Sequence, residues 1–307
     1  MWFRSSSEFN RRESVDDSPE PRTDPVFVLG LMRSGTTFVQ RLLNCHPELT
    51  IWGEHGGALQ PLLAELQPVV FDAHHRQRIA QGFKSRDSVI GTIDDAEAFD
   101  PYVSPVPPEA YETLVDDVIR AQLVELFSRG LPAGTRWGFK ETRYAGTVFR
   151  SLGRVFPAAQ FVFVTRSVEP WMSSVVRAPF RDDLRPEQLD DADAVEDALE
   201  SLLRLWTQRT TASLSFIEDD PERRLLISQE GLRTTEAAAT IADRLGMGPL
   251  PDPPLSRVLS SRAGSSDVST EWSGLSRTRL ESSITAAVAG NRQVGELEAR
   301  IKALRLV

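Results

Sequence analysis

The sequence VFVLGLMRSGTTFVQRLL, at residues 26–43, decides the fold of this chain. It starts as a continuous apolar run, which is typical of a buried parallel strand, and it ends in a helical pattern. Between the two, Gly30, Gly35 and Thr37 match the phosphate-binding pattern G-x-x-x-x-G-K-[ST], but Thr36 stands in place of the lysine. The stretch therefore predicts a strand, an anion-binding loop and a helix.

This loop keeps several ways of binding an anion without the lysine. Its backbone N–H groups and the N-terminus of the following helix converge on one point. Thr36 and Thr37 add hydroxyl donors, and Arg33 adds a charged donor. The loop lysine of nucleoside triphosphatases contacts the β- and γ-phosphates, so its loss disfavours triphosphate chemistry but not anion binding. The alternative is a plain turn between a strand and a helix.

Strand patterns and helical patterns alternate along the rest of the chain. Further strands are predicted in ELTIWGEHGG, TRWGFKET, QFVFVTRS and ERRLLISQEGL. This alternation predicts an α/β, P-loop-like, three-layer fold with a mainly parallel central sheet of about five strands flanked by helices. We expect a polar, disordered tail at residues 1–24 and a single domain over residues 25–307.

Three segments outside the sheet carry their own expectations. A long helix is predicted from about Glu109 to Ser128, because apolar residues recur there at helical spacing. Its apolar residues are Leu114, Val118, Leu123 and Leu126. The stretch PLPDPPLSRVLSSRAGSSDVS is predicted to be irregular. The last helix carries a stripe of apolar side chains, which we expect to pack against the rest of the protein and not against a partner. The stripe consists of Val294, Leu297, Ile301 and Leu304.

Composition narrows the class of protein. The net charge of −9 argues against a general nucleic-acid binder. No apolar run approaches the ~18 residues that indicate a membrane helix, and the N-terminus lacks the apolar core of a secretory signal. The single cysteine, Cys45, excludes an internal disulfide and is expected to be a small buried hydrophobe on the first helix. We expect a cytoplasmic protein, with a homodimer as one possible assembly.

Polar residues that suit chemistry follow the predicted strands. Arg166 lies at the tip of a strand with Ser174 eight residues later, and the two suit a second phosphate. Lys140 ends another strand, and Glu54 and His55 lie in the loop after the second strand, where either can act as a general base. Ligands of parallel sheets bind at the C-terminal strand ends, so these side chains are expected to converge. The alternatives are solvated surface charges and a solvent-facing histidine.

Taken together, these motifs resemble the sulfotransferases that use 3′-phosphoadenosine 5′-phosphosulfate (PAPS). RSGTT, HPELTIWGEH, WGFKETR and FVFVTRSVEPWMSS occur in that family's order and at plausible spacing, over roughly residues 25–250. The closer likeness is to the tyrosylprotein sulfotransferases and the bacterial group that shares their motifs. One departure is Gln229, which stands where the tyrosylprotein enzymes have a tyrosine before the glutamate of the fifth strand's loop.

The resemblance implies a role for each matching residue. Glu54 is similar to the glutamate base of the tyrosylprotein enzymes, and Lys140 resembles the lysine that stabilises the sulfuryl group in transit. His55 is the second candidate base, because the cytosolic small-molecule enzymes use a histidine. The residues that resemble the family's 5′-phosphosulfate loop are Arg33, Ser34, Gly35, Thr36 and Thr37. The residues that resemble its 3′-phosphate pair are Arg166 and Ser174. Candidates for a C-terminal cofactor loop are Arg262, Ser269 and Trp272.

The chemistry of this family explains the missing lysine. The donor PAPS leaves as adenosine 3′,5′-bisphosphate (PAP), which needs two anion sites, no β/γ bridge and no metal ion. The expected acceptor is a hydroxyl of a small molecule, a glycolipid or a natural product. Its pocket is expected within residues 57–130 and 178–195. Aromatic candidates for the pocket, or for the core, are Trp52, Phe71, Phe83, Phe99, Tyr102 and Trp171.

Two other functions fit the sequence less well. A nucleotide-kinase-like phosphotransferase with a degenerate loop would require Mg²⁺ and ATP. A non-catalytic binding protein on the same fold would tolerate replacement of Glu54 and Lys140. The joint presence of Glu54, Lys140, Arg166 and Ser174 favours the sulfotransferase.

Overall fold

A five-stranded parallel sheet forms the centre of the molecule, with the strand order β2-β3-β1-β4-β5. The computed structural model describes residues 24–65, 108–177, 191–232, 234–251, 254–260, 274–289 and 291–305. The strands are β1 Val26–Gly30, β2 Leu49–Trp52, β3 Arg136–Glu141, β4 Gln160–Thr165 and β5 Arg224–Ser228. The predicted α/β fold with a parallel sheet of five strands is confirmed.

Helices connect and cover these strands. Within the described residues they are α1 Thr36–Leu43, α2 Pro108–Ser128, α3 Gly146–Val155, α4 Val168–Val176, α5 Ala192–Glu218, α6 Thr235–Arg244, α7 Pro254–Ser260, α8 Gly274–Ala289 and α9 Arg292–Leu304. A π-helical turn at Pro61–Glu65 follows β2, and a 3-10 turn at Gln229–Gly231 follows β5. No helix in these described ranges combines the length and the apolar character needed to cross a membrane.

Successive side chains of the central strand β1 point to opposite faces of the sheet, and the core accordingly has two layers. Phe27 of β1 points into a cluster rich in aromatic side chains, which includes residues of α3, α5, α8 and α9. Its neighbour Val28 points into a second cluster, which includes residues of α1, α6 and α7. Cys45 belongs to this second cluster, as expected for a small buried hydrophobe, but it lies in the turn after α1 and not on the helix, which ends at Leu43. The sheet therefore has an apolar layer on each face.

Strand register brings the C-terminal ends of the strands to one edge. Leu29 is level with Glu141 of β3, Gly30 with Val164 of β4, and Thr165 with Ser228 of β5. Residues that follow these positions therefore emerge side by side at the same edge, where parallel sheets bind ligands.

Helix α2 has the predicted extent. The face that it buries, however, is not the one formed by the apolar residues predicted from the sequence. Leu114, Val118 and Leu126 are 43%, 54% and 60% exposed, whereas Leu123 is buried. Its core contacts come from Ile119, Leu123 and Phe127. The helix carries apolar residues on two faces, and the pattern alone does not decide which one meets the sheet.

Two further expectations near the C-terminus have different outcomes. The segment predicted to be irregular contains the helix α7, whose Leu255 and Val258 are buried. The stripe on α9 packs against the body of the protein through α5, as predicted. At the other end of the chain, Asp24 accepts a hydrogen bond at its carbonyl from Arg136 Nε at 3.1 Å. The rest of the predicted tail lies outside the described residues.

Candidate active site

The loop after β1 is tightly folded at its start and at its end. A Cβ atom on Gly30 would lie 2.4 Å from the carbonyl oxygen of Val164, so no other residue fits there. Ser34 is buried and its hydroxyl donates to the carbonyl of Leu31 at 2.7 Å, which closes the loop. Gly35 takes a left-handed conformation with φ of 102° and begins α1. Arg33 also has a positive φ, of 64°, which is rare outside glycine.

The N-terminus of α1 is open to an anion. Gly35 occupies the capping position and offers no side chain, so no side-chain hydrogen bond caps the helix. The first N–H groups of a helix lack partners within the helix and carry a partial positive charge. Thr36 is buried, whereas Thr37 is exposed at the start of the helix. This arrangement fits a phosphosulfate group without a lysine in the loop.

The predicted 5′ and 3′ anion sites meet in one cluster of arginine and serine side chains. Arg33 Nε donates to Ser174 Oγ of α4 at 3.3 Å, and Arg166 Nη1 donates to the carbonyl of Arg33 at 3.5 Å. Trp171 holds the same loop, since its indole N–H donates to the carbonyl of Met32 at 2.8 Å. Arg33, Arg166 and Ser174 thus lie together, as the sequence predicts for residues at one sheet edge.

This cluster carries excess positive charge. Burial lowers the pKa of Arg166 below the usual arginine value, Glu230 opposes that shift, and the nearby Arg177 and Arg33 add to it. Glu230 also accepts a hydrogen bond from the backbone N–H of Ser167 at 3.3 Å. Burial by itself would raise the pKa of Glu230, but hydrogen bonds from Ser228 and from backbone N–H groups, with the charge of Arg166, lower it. Arg166 therefore has two other arginines and one ionised carboxylate as charged neighbours, and this excess of positive charge suits a bound anion.

Glu54 and Lys140 are in direct contact. Lys140 Nζ donates to Glu54 Oε1, and Arg143 Nη1 lies 3.3 Å from Glu54 Oε2. The Lys140 side chain is 7% exposed and that of Glu54 is 33% exposed, so the carboxylate faces solvent at the mouth of the site. Lys140 lies one residue before the end of β3, level with Val28 of β1. The pair therefore lies at the same sheet edge as the loop after β1.

His55 occupies a different environment from its neighbour Glu54. Its Nε2 bonds to the hydroxyl of Tyr144 and lies 3.8 Å from Oε2 of Glu141. Its ring meets that of Phe139 edge to face, with 4.8 Å between centroids. Burial lowers the pKa of His55 below its usual value, although Glu141 and Glu54 act against that shift. The ring is therefore neutral near pH 7 and packed among aromatic side chains.

Sequence comparison identifies the family to which these residues belong. A family model described as the sulfotransferase family matches residues 25–240. The chain belongs to the sulfotransferase family. The matched range contains the loop after β1, Glu54, Lys140 and the Arg166–Ser174 motif. A search of curated proteins finds no match to this sulfotransferase.

Solved structures that resemble this sulfotransferase are distant from it in sequence. The sulfotransferase from Alicyclobacillus acidocaldarius is 16% identical, with a TM-score of 0.45 and coverage of 92% of this chain and 97% of that chain. The sulfotransferase domain of the Synechococcus PCC 7002 olefin synthase is 15% identical, with a TM-score of 0.42 and coverage of 90% and 98%. A mouse sulfotransferase complexed with PAP is 10% identical, with a TM-score of 0.40 and coverage of 92% and 90%.

Several residues predicted for the site lie outside the described part of the sulfotransferase. These are Arg262, Ser269 and Trp272 of the C-terminal loop, and Phe71, Phe83, Phe99 and Tyr102 of the acceptor pocket. The two remaining aromatic candidates have structural contacts. Trp171 is fully buried in the core. Trp52 is 40% exposed, and its indole N–H donates to the carbonyl of Phe127 at 2.7 Å.

The structure also adds residues that the sequence motifs do not single out. Glu141 and Arg143 lie one and three residues after Lys140 and bind the loop that carries Glu54. Glu230 neutralises part of the arginine cluster. Each lies beside a predicted residue or strand end, but its partner is distant in sequence, so no local pattern reveals the contact. Within the described residues, no group of three His, Cys, Asp or Glu side chains could hold a metal ion.

Proposed function

We propose that this sulfotransferase moves the sulfuryl group of PAPS to a hydroxyl of a small-molecule, glycolipid or natural-product acceptor, with Glu54 as the general base. The observation that carries the proposal is the placement of the Glu54–Lys140 pair at the sheet edge that also holds the uncapped helix α1 and the arginine cluster. One end of this edge suits a bisphosphate, and the other offers a base beside a cation.

The donor end would bind the two anionic groups separately. The N–H groups at the start of α1 and the side chains of Arg33 and Thr37 are proposed to hold the 5′-phosphosulfate. Arg166 and Ser174 are proposed to hold the 3′-phosphate through charge-assisted and hydroxyl hydrogen bonds. Support comes from the excess of arginine at this point, which an anion would neutralise. The hydroxyl and the backbone N–H of Ser34 both donate to the carbonyl of Leu31, at 2.7 Å and 3.2 Å, so Ser34 shapes the loop.

Lys140 is proposed to stabilise the charge that develops on the oxygen between phosphate and sulfuryl group. An ammonium has three hydrogen-bond donors, of which one is directed at Glu54, so two remain for the donor's oxygens. The low exposure of Lys140 strengthens such an interaction, because water screens it less than at the surface. Transfer leaves PAP as the product and moves a neutral SO₃ unit between two oxygens.

Glu54 is the better placed of the two candidate bases. An ionised carboxylate offers about four acceptor positions, and Lys140 and Arg143 occupy only part of them. A hydroxyl that approaches from solvent can therefore donate to Glu54 and pass its proton there as it attacks. His55 has its Nε2 engaged by Tyr144 and its Nδ1 buried, so a proton would have to reach a ring that faces the core.

Three wider features complete the proposal and rest on the sequence. We propose a cytoplasmic enzyme that needs no metal ion and has one catalytic domain over residues 25–307. The segments 57–130 and 178–195 are proposed to shape the acceptor pocket, and both extend beyond the described residues. A homodimer stays a prediction.

Calorimetry with PAP tests the donor site directly. We expect PAP to bind the wild-type protein at least about tenfold more tightly than ATP, which corresponds to about 1.4 kcal/mol. Arg166→Ala should weaken PAP binding by about tenfold or more, because it removes a charge-assisted contact with a phosphate. Arg204→Ala is the matched control, since Arg204 pairs only with Glu200 on the exposed face of α5 at 2.6 Å among the contacts described.

Two experimental results would contradict the proposed donor or reaction. Equal affinities for PAP and ATP, together with unchanged PAP binding by Arg166→Ala, would exclude the donor site described above. A transfer activity that required ATP and Mg²⁺ would favour a phosphotransferase instead.

A further inference from the structure

We propose that Glu141 is the positioning residue for Glu54, because its buried carboxylate ties the end of β3 to the loop that carries the base. This inference rests on the proposed function of Glu54. Glu141 lies next to Lys140 in the chain, and its side chain is fully buried. A buried carboxylate is stable only where hydrogen bonds and charges compensate it, so its contacts identify what it holds in place.

The two carboxylate oxygens of Glu141 bind opposite sides of the site. Oε1 accepts from the backbone N–H of Thr142 at 2.8 Å and of Arg143 at 3.2 Å, which fixes the turn after β3. Oε2 accepts from the backbone N–H of Gly57 at 2.8 Å, which lies three residues after Glu54. One side chain therefore joins two segments that are 84 residues apart.

The loop after Glu54 has little rigidity of its own. Gly56 and Gly57 both take left-handed conformations, with φ of 71° and 75°. Glycine pairs lose more backbone freedom on ordering than other residues, so this conformation needs an external partner. The contact from Glu141 Oε2 to Gly57 supplies that partner, and His55 lies 3.8 Å from the same oxygen.

Arg143 gives Glu141 a second connection to the base. Its guanidinium Nη1 lies 3.3 Å from Glu54 Oε2 and 3.5 Å from Glu141 Oε1, so it bridges the two carboxylates. The Glu54 carboxylate is thus bound by Lys140 on one oxygen and by Arg143 on the other. Glu141 holds both the backbone and the guanidinium of Arg143, and in this way sets where Glu54 points.

The contacts require a carboxylate and not merely a polar side chain of this length. Every backbone group described around Glu141 is an N–H donor, and these donors face both oxygens. An amide has one acceptor oxygen and one donor nitrogen. In Glu141→Gln, the NH₂ group of the amide must therefore face a backbone N–H donor. The side chain keeps the bonds from Thr142 and Arg143 and loses only one bond if this nitrogen faces Gly57. The expected result is a released loop at Gly57 with an intact turn after β3.

Amide hydrogen exchange tests this release without any knowledge of the acceptor. In Glu141→Gln, we expect exchange in the peptide that covers residues 53–60 to rise by about tenfold or more, as for a lost hydrogen bond. Exchange in residues 30–37 and the affinity for PAP should stay within about twofold of wild type. Asp116→Asn is the matched control, since Asp116 is also a mostly buried carboxylate with two bonds, to Arg154, and is part of neither segment.

A double-mutant cycle tests whether Glu141 acts through Glu54. The reaction measured is hydrolysis of PAPS, in which the oxygen of water bonds to sulfur, the bond from sulfur to the phosphate oxygen breaks, and the water proton goes to Glu54. Glu141→Gln should lower kcat by up to about 100-fold with little change in KM for PAPS, as a misplaced base does. In a Glu54→Gln background the same change should lower kcat by less than about twofold, because no base remains to be positioned.

Each outcome bears on the proposal in a defined way. Unchanged exchange over residues 53–60, or losses of kcat that multiply in the double variant, would overturn it. If Glu141→Gln does not fold, Glu141→Asp replaces it in both experiments, since it keeps the charge but shortens the side chain by one methylene and so withdraws the carboxylate from the N–H of Gly57. A wild-type protein that neither binds PAP nor hydrolyses PAPS contradicts the proposed function, whereas the exchange experiment still decides whether Glu141 anchors the loop.

Discussion

Arg33 illustrates how much a single residue of the loop after β1 is constrained. Its φ of 64° places a non-glycine residue in the left-handed region, which costs about 1–2 kcal/mol relative to a relaxed backbone. The neighbouring Arg166 and Trp171 bind the carbonyls of Arg33 and Met32 and so hold this conformation. Strained backbone is common where a ligand must be met by a fixed group. A glycine here would relax the loop but would remove a cation from the anion site.

His55 should make the stability of the protein depend on pH. Because burial lowers its pKa in the folded state, the unfolded chain binds a proton more readily near and below the usual value of about 6.5. The stability that depends on a neutral His55 is thus fully present above about pH 6.5. It is lost as the pH falls through the pKa of His55 in the folded state, which is the lower of the two values. The slope cannot exceed about 1.4 kcal/mol per pH unit for one proton.

The measurement is thermal unfolding between pH 7.5 and pH 5.5. We expect His55→Gln to show a smaller loss of stability over this range than the wild type, while it can still bond to Tyr144. His46→Gln is the control, because the half-buried ring of His46, in the turn after α1, accepts only from the backbone N–H of Glu48 among the contacts described. Equal pH dependence in wild type and His55→Gln would show that the ring is not held neutral.

Elements of secondary structure were predictable to different degrees, and the reasons are physical. The strands of the sheet are covered on both faces, so each is a short apolar run bounded by polar residues, and the sequence locates all five. Helix α2 has apolar residues on two faces, and only the packing against β3 and α3 selects Ile119 over Val118 for burial. The segment of α7 contains prolines that argue against a helix, but Leu255 and Val258 still reach the core.

The candidate site was predictable where it depends on strand ends and not where it depends on long-range contacts. Lys140 lies at the end of β3, Arg166 directly follows β4 and Ser174 lies on the next helix, so topology alone brings them near the loop after β1. The link from Glu141 to Gly57 joins two segments through a side chain whose direction no local pattern encodes. A glutamate at a strand end is usually a surface charge. Glu141 is buried because the loop after β2 packs over the end of β3.

Side chains in and directly after helix α1 join it to strand β2, which couples the proposed donor loop to the proposed base, Glu54. Asn44 Oδ1 accepts from the backbone N–H of Ile51 at 2.7 Å, and Asn44 Nδ2 donates to the carbonyl of Ile51 at 3.0 Å. Gln40 Nε2 donates to the same carbonyl at 3.0 Å. Ile51 lies three residues before Glu54, so the position of the base depends on these bonds.

Replacement of Asn44 tests this coupling between elements. Asn44→Ala should lower the free energy of unfolding by about 1–3 kcal/mol, since it leaves the N–H of Ile51 without this acceptor. It should also lower the rate of PAPS hydrolysis more than the affinity for PAP. Urea denaturation and calorimetry measure the two effects. Asn291→Ala is the control, because Asn291 caps α9 through the backbone N–H of Val294 and is remote from β2 in the chain.

At the scale of the whole molecule, an acidic protein carries a local cluster of positive charge, which is the proposed site for the anionic donor. The net charge of −9 disfavours the approach of a bisphosphate at long range. Attraction must therefore come from groups within a few ångströms, namely the N-terminus of α1, Arg33, Arg166 and Lys140. Lys140 is buried and Arg166 is half-buried, so salt screens these two charges less than it screens exposed ones such as that of Arg33. Local charge, and not the sum over the molecule, decides what this edge of the sheet binds.

The same charges bear on whether a metal ion is needed. In phosphoryl transfer from ATP, Mg²⁺ bridges the β- and γ-oxygens and neutralises their developing charge. In the proposed complex with PAPS, Lys140 and the N–H groups of α1 would neutralise the charge that develops on the oxygen between the phosphate and the sulfuryl group. We therefore expect treatment with EDTA to leave PAP affinity and the rate of PAPS hydrolysis within about twofold of their untreated values. A loss of rate that added Mg²⁺ restores would contradict this prediction, whereas a Lys140→Met variant should lose the rate with or without Mg²⁺, because the cation that acts on the bridging oxygen belongs to the protein.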